Sequence, residues 1–239
     1  MEIAIDLAMV RRLIAQEYRQ ASADILTAGP VRACEKSQHR HDDRLASAPD
    51  APTLACKAGC SWCCHFTVDV RAFEVLRLLE YIDTHLSAAE RVRVQAEIES
   101  NRRVMEPLDD LKRVQTNIKC PFLAEGRCTV YTARPQTCRN YHATDVAGCQ
   151  RSFEEPDNID IDPEFAPGVY QRGGAHVEAF AKAMSDAGYD ATVYEMNTAL
   201  SIAMRDSHLA RQRFESKQSM FEDLAGSEVD AEFGSEEDE

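Results

Sequence analysis

The chain has 239 residues, of which 44% are hydrophobic, and its formal net charge is −14. This length and composition are sufficient for one hydrophobic core. The acidic balance argues against nucleic-acid binding, and no stretch approaches the ~18 consecutive apolar residues of a membrane span. The N-terminus lacks the basic-then-apolar order of a signal peptide, so we expect a cytoplasmic protein that does not bind membranes.

The first predicted element is an N-terminal helix, which we assign to residues 1–28. Leu7, Val10, Ile14 and Tyr18 recur at helical spacing, which indicates an amphipathic helix from Asp6 to about residue 27. The following Gly-Pro pair at 29–30 predicts where this helix ends.

The next segment, residues 29–55, is polar and contains proline, and we interpret it as a linker. It contains Cys34, which we interpret as a linker cysteine. It also contains His39 and His41, whose spacing is compatible with zinc binding but which we interpret as solvated histidines.

Residues 56–215 are predicted to form the principal domain, and its fold class is mostly α with few or no strands. Ser87 and Glu90 have the spacing of a capping box, which predicts a helix that begins at Ala88. The spacing of apolar residues also predicts a helix that ends near Gly188 and a last helix that includes Val193. The proline-rich middle, about residues 119–173, has no sustained period, and a long irregular insert of this kind requires something to hold it in place.

The C-terminal segment, residues 216–239, is interpreted as an acidic disordered tail. Its last 19 residues contain nine acidic side chains and no basic one. Such a composition is typical of solvated disorder, and docking on a basic protein partner is the alternative.

Eight of the nine cysteines fall into two groups that flank the central helical stretch. The first group, CKAGCSWCC, has the spacing C-x3-C-x2-C-C, and the second has the spacing C-x7-C-x9-C-x10-C. The candidate metal ligands are Cys56, Cys60, Cys63, Cys64, Cys120, Cys128, Cys138 and Cys149. Thiolates are soft ligands that suit zinc and iron–sulfur clusters, and a C-x2-C turn lets two sulfurs converge on one centre.

Two other roles for these cysteines are weaker. Free cysteines are common in cores, but the residues between these thiols are Lys, Gly and Ser rather than an apolar face. Disulfides require an oxidising compartment, and adjacent Cys63 and Cys64 are too close to pair without strain. Because neighbouring side chains of extended backbone point to opposite sides, one of these two thiols could serve a second centre. Eight cysteines allow two four-ligand sites, or one site with additional thiols.

Basic residues near the cysteines could offset the charge of bound thiolates, although some of them are expected to be surface cations. These residues are Lys57, Lys119, Arg127, Arg134 and Arg139. We interpret Tyr131 and Arg134 as residues that brace the loop, because an aromatic ring can pack and a guanidinium can pair. The histidines His65 and His142 are further, less favoured ligand candidates.

The combined motifs resemble the CxxCxxCC cysteine-cluster family of zinc- or iron-chelating proteins. The first group is followed by C-P-F-L from Cys120, C-T-V-Y from Cys128 and R-P-Q-T-C-R from Arg134. The resemblance extends from about Cys56 to Cys149. It implies a bacterial metal-binding protein whose cofactor is an iron–sulfur cluster or zinc.

We therefore predict an intracellular protein that binds metal ions through cysteine thiolates, with an iron–sulfur cluster favoured over zinc. The proline after Cys120 is a weak indication of iron, because cluster cysteines of ferredoxins can precede proline. The alternative is an iron–sulfur-dependent enzyme for redox chemistry or methyl transfer, as in the related flagellin lysine N-methylases. Cys56, Cys60 and Cys63 also have the spacing of the radical S-adenosylmethionine motif, but the sequence lacks the alternating β–α units of those enzymes.

Overall fold

The computed structural model describes residues 6–57, 59–221 and 224. Within these residues the fold consists of ten α-helices and two small antiparallel sheets of two strands each, so the predicted mostly α class is confirmed. The helices are α1 (Leu7–Ala28), α2 (Pro30–Ala46), α3 (Ala72–His85), α4 (Ala88–Met105), α5 (Asp110–Val114), α6 (Gln136–Asn140), α7 (Val146–Glu154), α8 (Pro167–Asp186), α9 (Met196–Arg205) and α10 (Ser207–Glu215).

The two sheets join segments that are distant in sequence or form a tight hairpin. Strand β1 (Asp69–Arg71) pairs with β4 (Val193–Glu195), so that Val70 lies opposite Tyr194. Strand β2 (Leu123–Ala124) pairs with β3 (Arg127–Cys128) in a hairpin within the cysteine-rich middle.

The predicted N-terminal helix is confirmed over the described residues as α1. Its first turn is capped by the Asp6 side chain, which accepts a hydrogen bond from the backbone N–H of Met9. The helix ends at Gly29, whose φ of 80° favours glycine, and Pro30 then begins α2.

The interpretation of residues 29–55 as a linker is wrong, because most of this segment is α2, which packs against α1, α3 and α8. Cys34 and His41 are fully buried, in contrast to the expected linker cysteine and solvated histidine, whereas His39 is exposed. The polar residues of α2 find buried partners on α1: Arg40 forms ion pairs with Glu17 and Asp24 at 2.7 Å. Buried polar residues therefore interrupt the apolar stripe of α2, which weakens the periodicity that would have predicted this helix.

The capping box at Ser87 and Glu90 is confirmed, and α4 begins at Ala88 as predicted. The last two predicted helices differ in their bounds. Helix α8 begins as early as Pro167, and Val193, which was predicted to be helical, lies in β4 before α9 begins.

The hydrophobic core surrounds α3, which buries nine of its 14 residues and contacts α2, α9 and α10. Phe73 of α3 packs edge-on against Phe180 of α8, with a centroid distance of 5.2 Å. Among the described residues, no helix has the length and apolar character needed to cross a membrane.

The start of the predicted acidic tail belongs to the core. Met220 and Phe221 are buried, and the ring of Phe221 lies 4.5 Å from that of Tyr194. The interpretation of the tail as disordered is therefore wrong for these two residues. The acidic residues of the tail, at 222–223 and 225–239, lie outside the described residues. The predicted docking of the tail on a basic partner therefore concerns residues that the structure does not describe.

Candidate metal centre

The first cysteine group lies in a compact turn that ends in a short 3-10 helix, Trp62–His65. Gly59 has a φ of 91°, a backbone conformation that favours glycine, and the N–H of Cys60 donates to the carbonyl of Lys57 at 3.0 Å. The 3-10 helix carries Cys63 and Cys64, so their direction is determined by a hydrogen-bonded turn rather than by free loop backbone.

The second cysteine group is held directly against the first by backbone hydrogen bonds. The N–H of Cys120 donates to the carbonyl of Cys64 at 2.8 Å, and the N–H of Ile118 donates to the carbonyl of His65 at the same distance. Two segments more than 50 residues apart in sequence therefore run side by side, and the remaining cysteines follow on β3 (Cys128), α6 (Cys138) and α7 (Cys149).

Helix α7 docks on the first group through aromatic contacts. The ring of Phe153 lies 5.3 Å from the ring of Trp62 and 5.1 Å from that of His65. The Phe153 carbonyl accepts a hydrogen bond from the Asn117 side chain at 2.6 Å. These contacts bring the helix that carries Cys149 beside the turn that carries Cys63.

The Cys56 sulfur is positioned by the segment that joins α6 to α7. It accepts a hydrogen bond from the backbone N–H of Ala143 at 3.4 Å, and the N–H of Ala55 donates to the Ala143 carbonyl at 2.9 Å. A sulfur that accepts an amide N–H already has one of the hydrogen bonds that stabilise thiolates in metal sites.

The Cys63 thiol is the common neighbour of the other candidate ligands. Its pKa is raised by a hydrogen bond with the Cys64 thiol and by burial. Burial raises the pKa of Cys120 to about 12, and the charges of Cys128 and Cys63 contribute to this shift. Cys63 is therefore close enough to both groups to interact electrostatically with each of them.

The other thiols divide into two sets by their neighbours. Burial is the largest cause that raises the pKa of Cys138 well above its ordinary value. The charges of Cys120, Cys63 and Cys128 raise it further. Burial also raises the pKa of Cys149 to about 11, and there the neighbouring charges are those of Cys56, Cys63 and Cys60. One set therefore contains Cys120, Cys128 and Cys138, the other contains Cys56, Cys60 and Cys149, and Cys63 faces both.

Raised thiol pKa values mean that a bound cation must displace protons from these sulfurs. Within residues 6–57, 59–221 and 224, no three His, Cys, Asp or Glu side chains converge as closely as a metal site requires. The donor chemistry fits zinc or an iron–sulfur cluster, because seven of the eight thiols lie in two neighbouring sets that share Cys63. A bound metal would require the cysteine sulfur atoms of each set to lie closer together than they do here.

Two of the five predicted charge-offsetting cations are buried, and three are exposed. Lys57, Lys119 and Arg127 are exposed, as the surface interpretation expected. The guanidinium of Arg134 lies 3.8 Å from the ring centroid of Tyr131, and its positive charge partly offsets the upward shift of the pKa values of Cys63 and Cys128. The loop-bracing role of this pair is consistent with the contact.

Arg139 is buried and links the Cys138 segment to α2. Its guanidinium donates to the carbonyl of Arg134 at 3.1 Å and also to the carbonyl of Thr132. It forms an ion pair with Asp42 of α2, which also accepts from Arg134 at 3.3 Å. Asp42 was missed by sequence reasoning, because its segment was interpreted as a linker.

The remaining cysteine and histidine candidates do not join the thiol sets. The Cys34 thiol is fully buried, and burial is the largest cause of its raised pKa. The next largest effects on this pKa come from the charges of Glu74, Arg77 and Arg139. The pKa of His65 is lowered by burial and by Lys119, and that of His142 is lowered by burial and by Arg134.

One family model matches the chain: CxxCxxCC, described as "Putative zinc- or iron-chelating domain", matches residues 55–163. No curated protein and no solved structure matches. The matched region contains all eight candidate ligands and excludes Cys34. Residues 55–163 therefore match the family that the sequence motifs predicted, the CxxCxxCC cysteine-cluster family.

Proposed function

We propose that the protein binds metal through cysteine thiolates and that the resident group is an iron–sulfur cluster rather than zinc. The observation that carries the proposal is the direct contact between the two cysteine groups, in which the backbone N–H of Cys120 donates to the carbonyl of Cys64 at 2.8 Å. The preference for iron rests on the Cys120-Pro121 pair, which resembles ferredoxin segments.

We propose two sets of ligands. Cys63 completes the first set with Cys120, Cys128 and Cys138, because the backbone N–H of Cys120 is hydrogen-bonded to the 3-10 helix that carries Cys63. The remaining thiols, Cys56, Cys60, Cys64 and Cys149, form the second. Four thiolates complete either a tetrahedral zinc site or a cubane cluster.

Metal binding would have a structural consequence for the cysteine-rich middle. The bound group would supply bonds between segments that are otherwise joined by few hydrogen bonds, and such binding energy contributes to folding. The protein's own residues supply the rest: Phe153 holds α7 against the first group, and Arg134 offsets part of the thiolate charge.

The test compares ligand variants with a matched cysteine control. Cys63→Ser and Cys60→Ser are expected to lose most of the iron and sulfide found in anaerobically purified wild-type protein. Cys34→Ser is the control, because Cys34 is a buried cysteine outside both thiol sets. Iron, zinc and sulfide analysis with a visible spectrum measures the loss.

Trp62 provides a second, independent readout. It is the single tryptophan of the chain, it lies between Cys60 and Cys63, and it packs on Phe153. Its fluorescence is expected to change when metal is removed by a chelator, in wild type and Cys34→Ser but not in Cys63→Ser.

The outcomes separate the two parts of the proposal. A colourless protein with stoichiometric zinc would overturn the iron–sulfur assignment and keep thiolate metal binding. Oxygen-protected wild-type protein with neither metal would overturn both. The iron–sulfur-dependent enzyme, the cytoplasmic location and the basic partner of the tail stay predictions.

A further inference from the structure

A fully buried carboxylate, that of Glu74, lies next to the segment that carries Cys138. Glu74 is only 1% exposed and belongs to the first turn of α3. One of its oxygens accepts the backbone N–H of Arg71 at 2.9 Å, which closes the capping box of α3. A buried carboxylate is costly unless its oxygens are hydrogen-bonded.

The second oxygen of Glu74 forms a long-range contact that a helix cap does not need. It accepts the backbone N–H of Gln136, the first residue of α6, at 2.6 Å. Glu90, which closes the corresponding capping box of α4, is partly exposed, and its carboxylate accepts the N–H of Ser87 at the start of its own helix. The burial of Glu74 is therefore explained by its contact with α6.

Helix α6 needs such an anchor. It contains only five residues, Gln136–Asn140, and a helix of this length is not stable alone. Cys138 lies two residues after the anchored N–H, and the Glu74 carboxylate is close enough for its charge to act on the Cys138 thiol. A second anchor, from the Thr137 hydroxyl to the carbonyl of Asp69, holds the same turn against β1.

We infer that Glu74 is a positioning residue for the metal ligand Cys138, acting through its hydrogen bond with the Gln136 N–H. This inference rests on the proposed function, in which Cys138 is a ligand. Residues that orient metal ligands in this way typically change metal affinity by about 10- to 100-fold when they are removed.

The test removes the N–H and displaces the carboxylate oxygen from it, because the proline Cδ takes the place of the hydrogen. Gln136→Pro deletes this donor at the first position of a helix, where proline is tolerated, and Gln136→Ala controls for the loss of the side chain. Zinc affinity, measured by chelator competition under reducing conditions, is expected to fall about 10-fold or more in Gln136→Pro relative to Gln136→Ala.

Two further comparisons distinguish positioning from general stability. In a Cys138→Ser background, Gln136→Pro and Gln136→Ala are expected to have equal zinc affinity, since the positioned ligand is gone. Glu74→Gln is expected to weaken zinc binding and to shift the absorption of the cobalt-substituted protein, whereas Glu90→Gln, its capping-box counterpart, is expected to change neither.

Equal zinc affinity of Gln136→Pro and Gln136→Ala, with wild-type protein binding zinc normally, would overturn the inference and leave the proposed function intact. Wild-type protein that binds neither zinc nor iron would overturn both. If Glu74→Gln fails to fold, the two Gln136 variants still decide the question.

Discussion

Replacing Arg139 with methionine tests whether the Cys138 segment depends on a single buried guanidinium. Arg139 is 1% exposed, and its partners come from two parts of the chain. It donates to the carbonyls of Arg134 and Thr132 in its own loop and pairs with Asp42 on α2. Methionine has a similar length and fills the site without any donor.

The expected loss follows from these partners. Asp42 is 43% exposed, so water can solvate its carboxylate when the guanidinium is removed, and the Arg134 carbonyl retains the Gln38 side chain at 3.3 Å. The Thr132 carbonyl is the group left without this partner. Loss of a hydrogen bond to a charged group typically costs about 1.5–3 kcal/mol. For a chain of this size, this corresponds to a decrease in Tm of roughly 3–12 °C.

The assay is urea unfolding of metal-free, reduced protein, followed by circular dichroism, so that metal loss does not contribute. Arg151→Gln is the control, because Arg151 is 54% exposed and lies 3.8 Å from Asp145; it is expected to change stability by less than about 0.5 kcal/mol. If Arg139→Met also stays within about 1 kcal/mol of wild type, the buried guanidinium does not hold this loop and the reasoning is refuted.

Two other predictions concern the interface between α2 and α8. Gly173→Ala is expected to destabilise the protein by about 1–3 kcal/mol, because a Cβ would lie 1.6 Å from Asn140 Oδ1, whereas Gly174→Ala meets no atom within 4 Å and is expected to stabilise it by up to about 1 kcal/mol. Comparable thermal midpoints for the two variants would contradict this. His41 and His176 stack at 4.6 Å, and burial lowers the pKa of His41 to about 3 and that of His176 as well. Because the unfolded chain binds these protons near pH 6.5, the free energy of unfolding decreases as the pH falls below that value, by about 2–3 kcal/mol for His41 at pH 4.5. His41→Phe is expected to reduce this loss in urea titrations at pH 7 and 4.5, and an unchanged loss would contradict the assignment.

Much of the helical framework could be predicted from local signals. The periodicity from Leu7 and the capping box at Ser87 each involve residues within a few turns, and both helices begin within a residue of the expected position. The same reasoning failed for α2, in which Ser37, Gln38 and His41 interrupt the apolar residues of the buried face. Glu17 and Asp24, which pair with its Arg40, belong to a different helix, and such partners leave no periodic pattern in the sequence.

The sequence by itself determined the candidate metal ligands, because cysteine spacing and the surrounding motifs are properties of short segments. Only the tertiary structure decided that Cys63 faces both groups, that Cys34 is a core residue, and that Glu74 and Arg139 hold the Cys138 segment. These contacts join residues tens of positions apart, and they depend on how α2, α3 and α6 pack together. Local spacing determines the donor atoms, and long-range packing determines which of them meet.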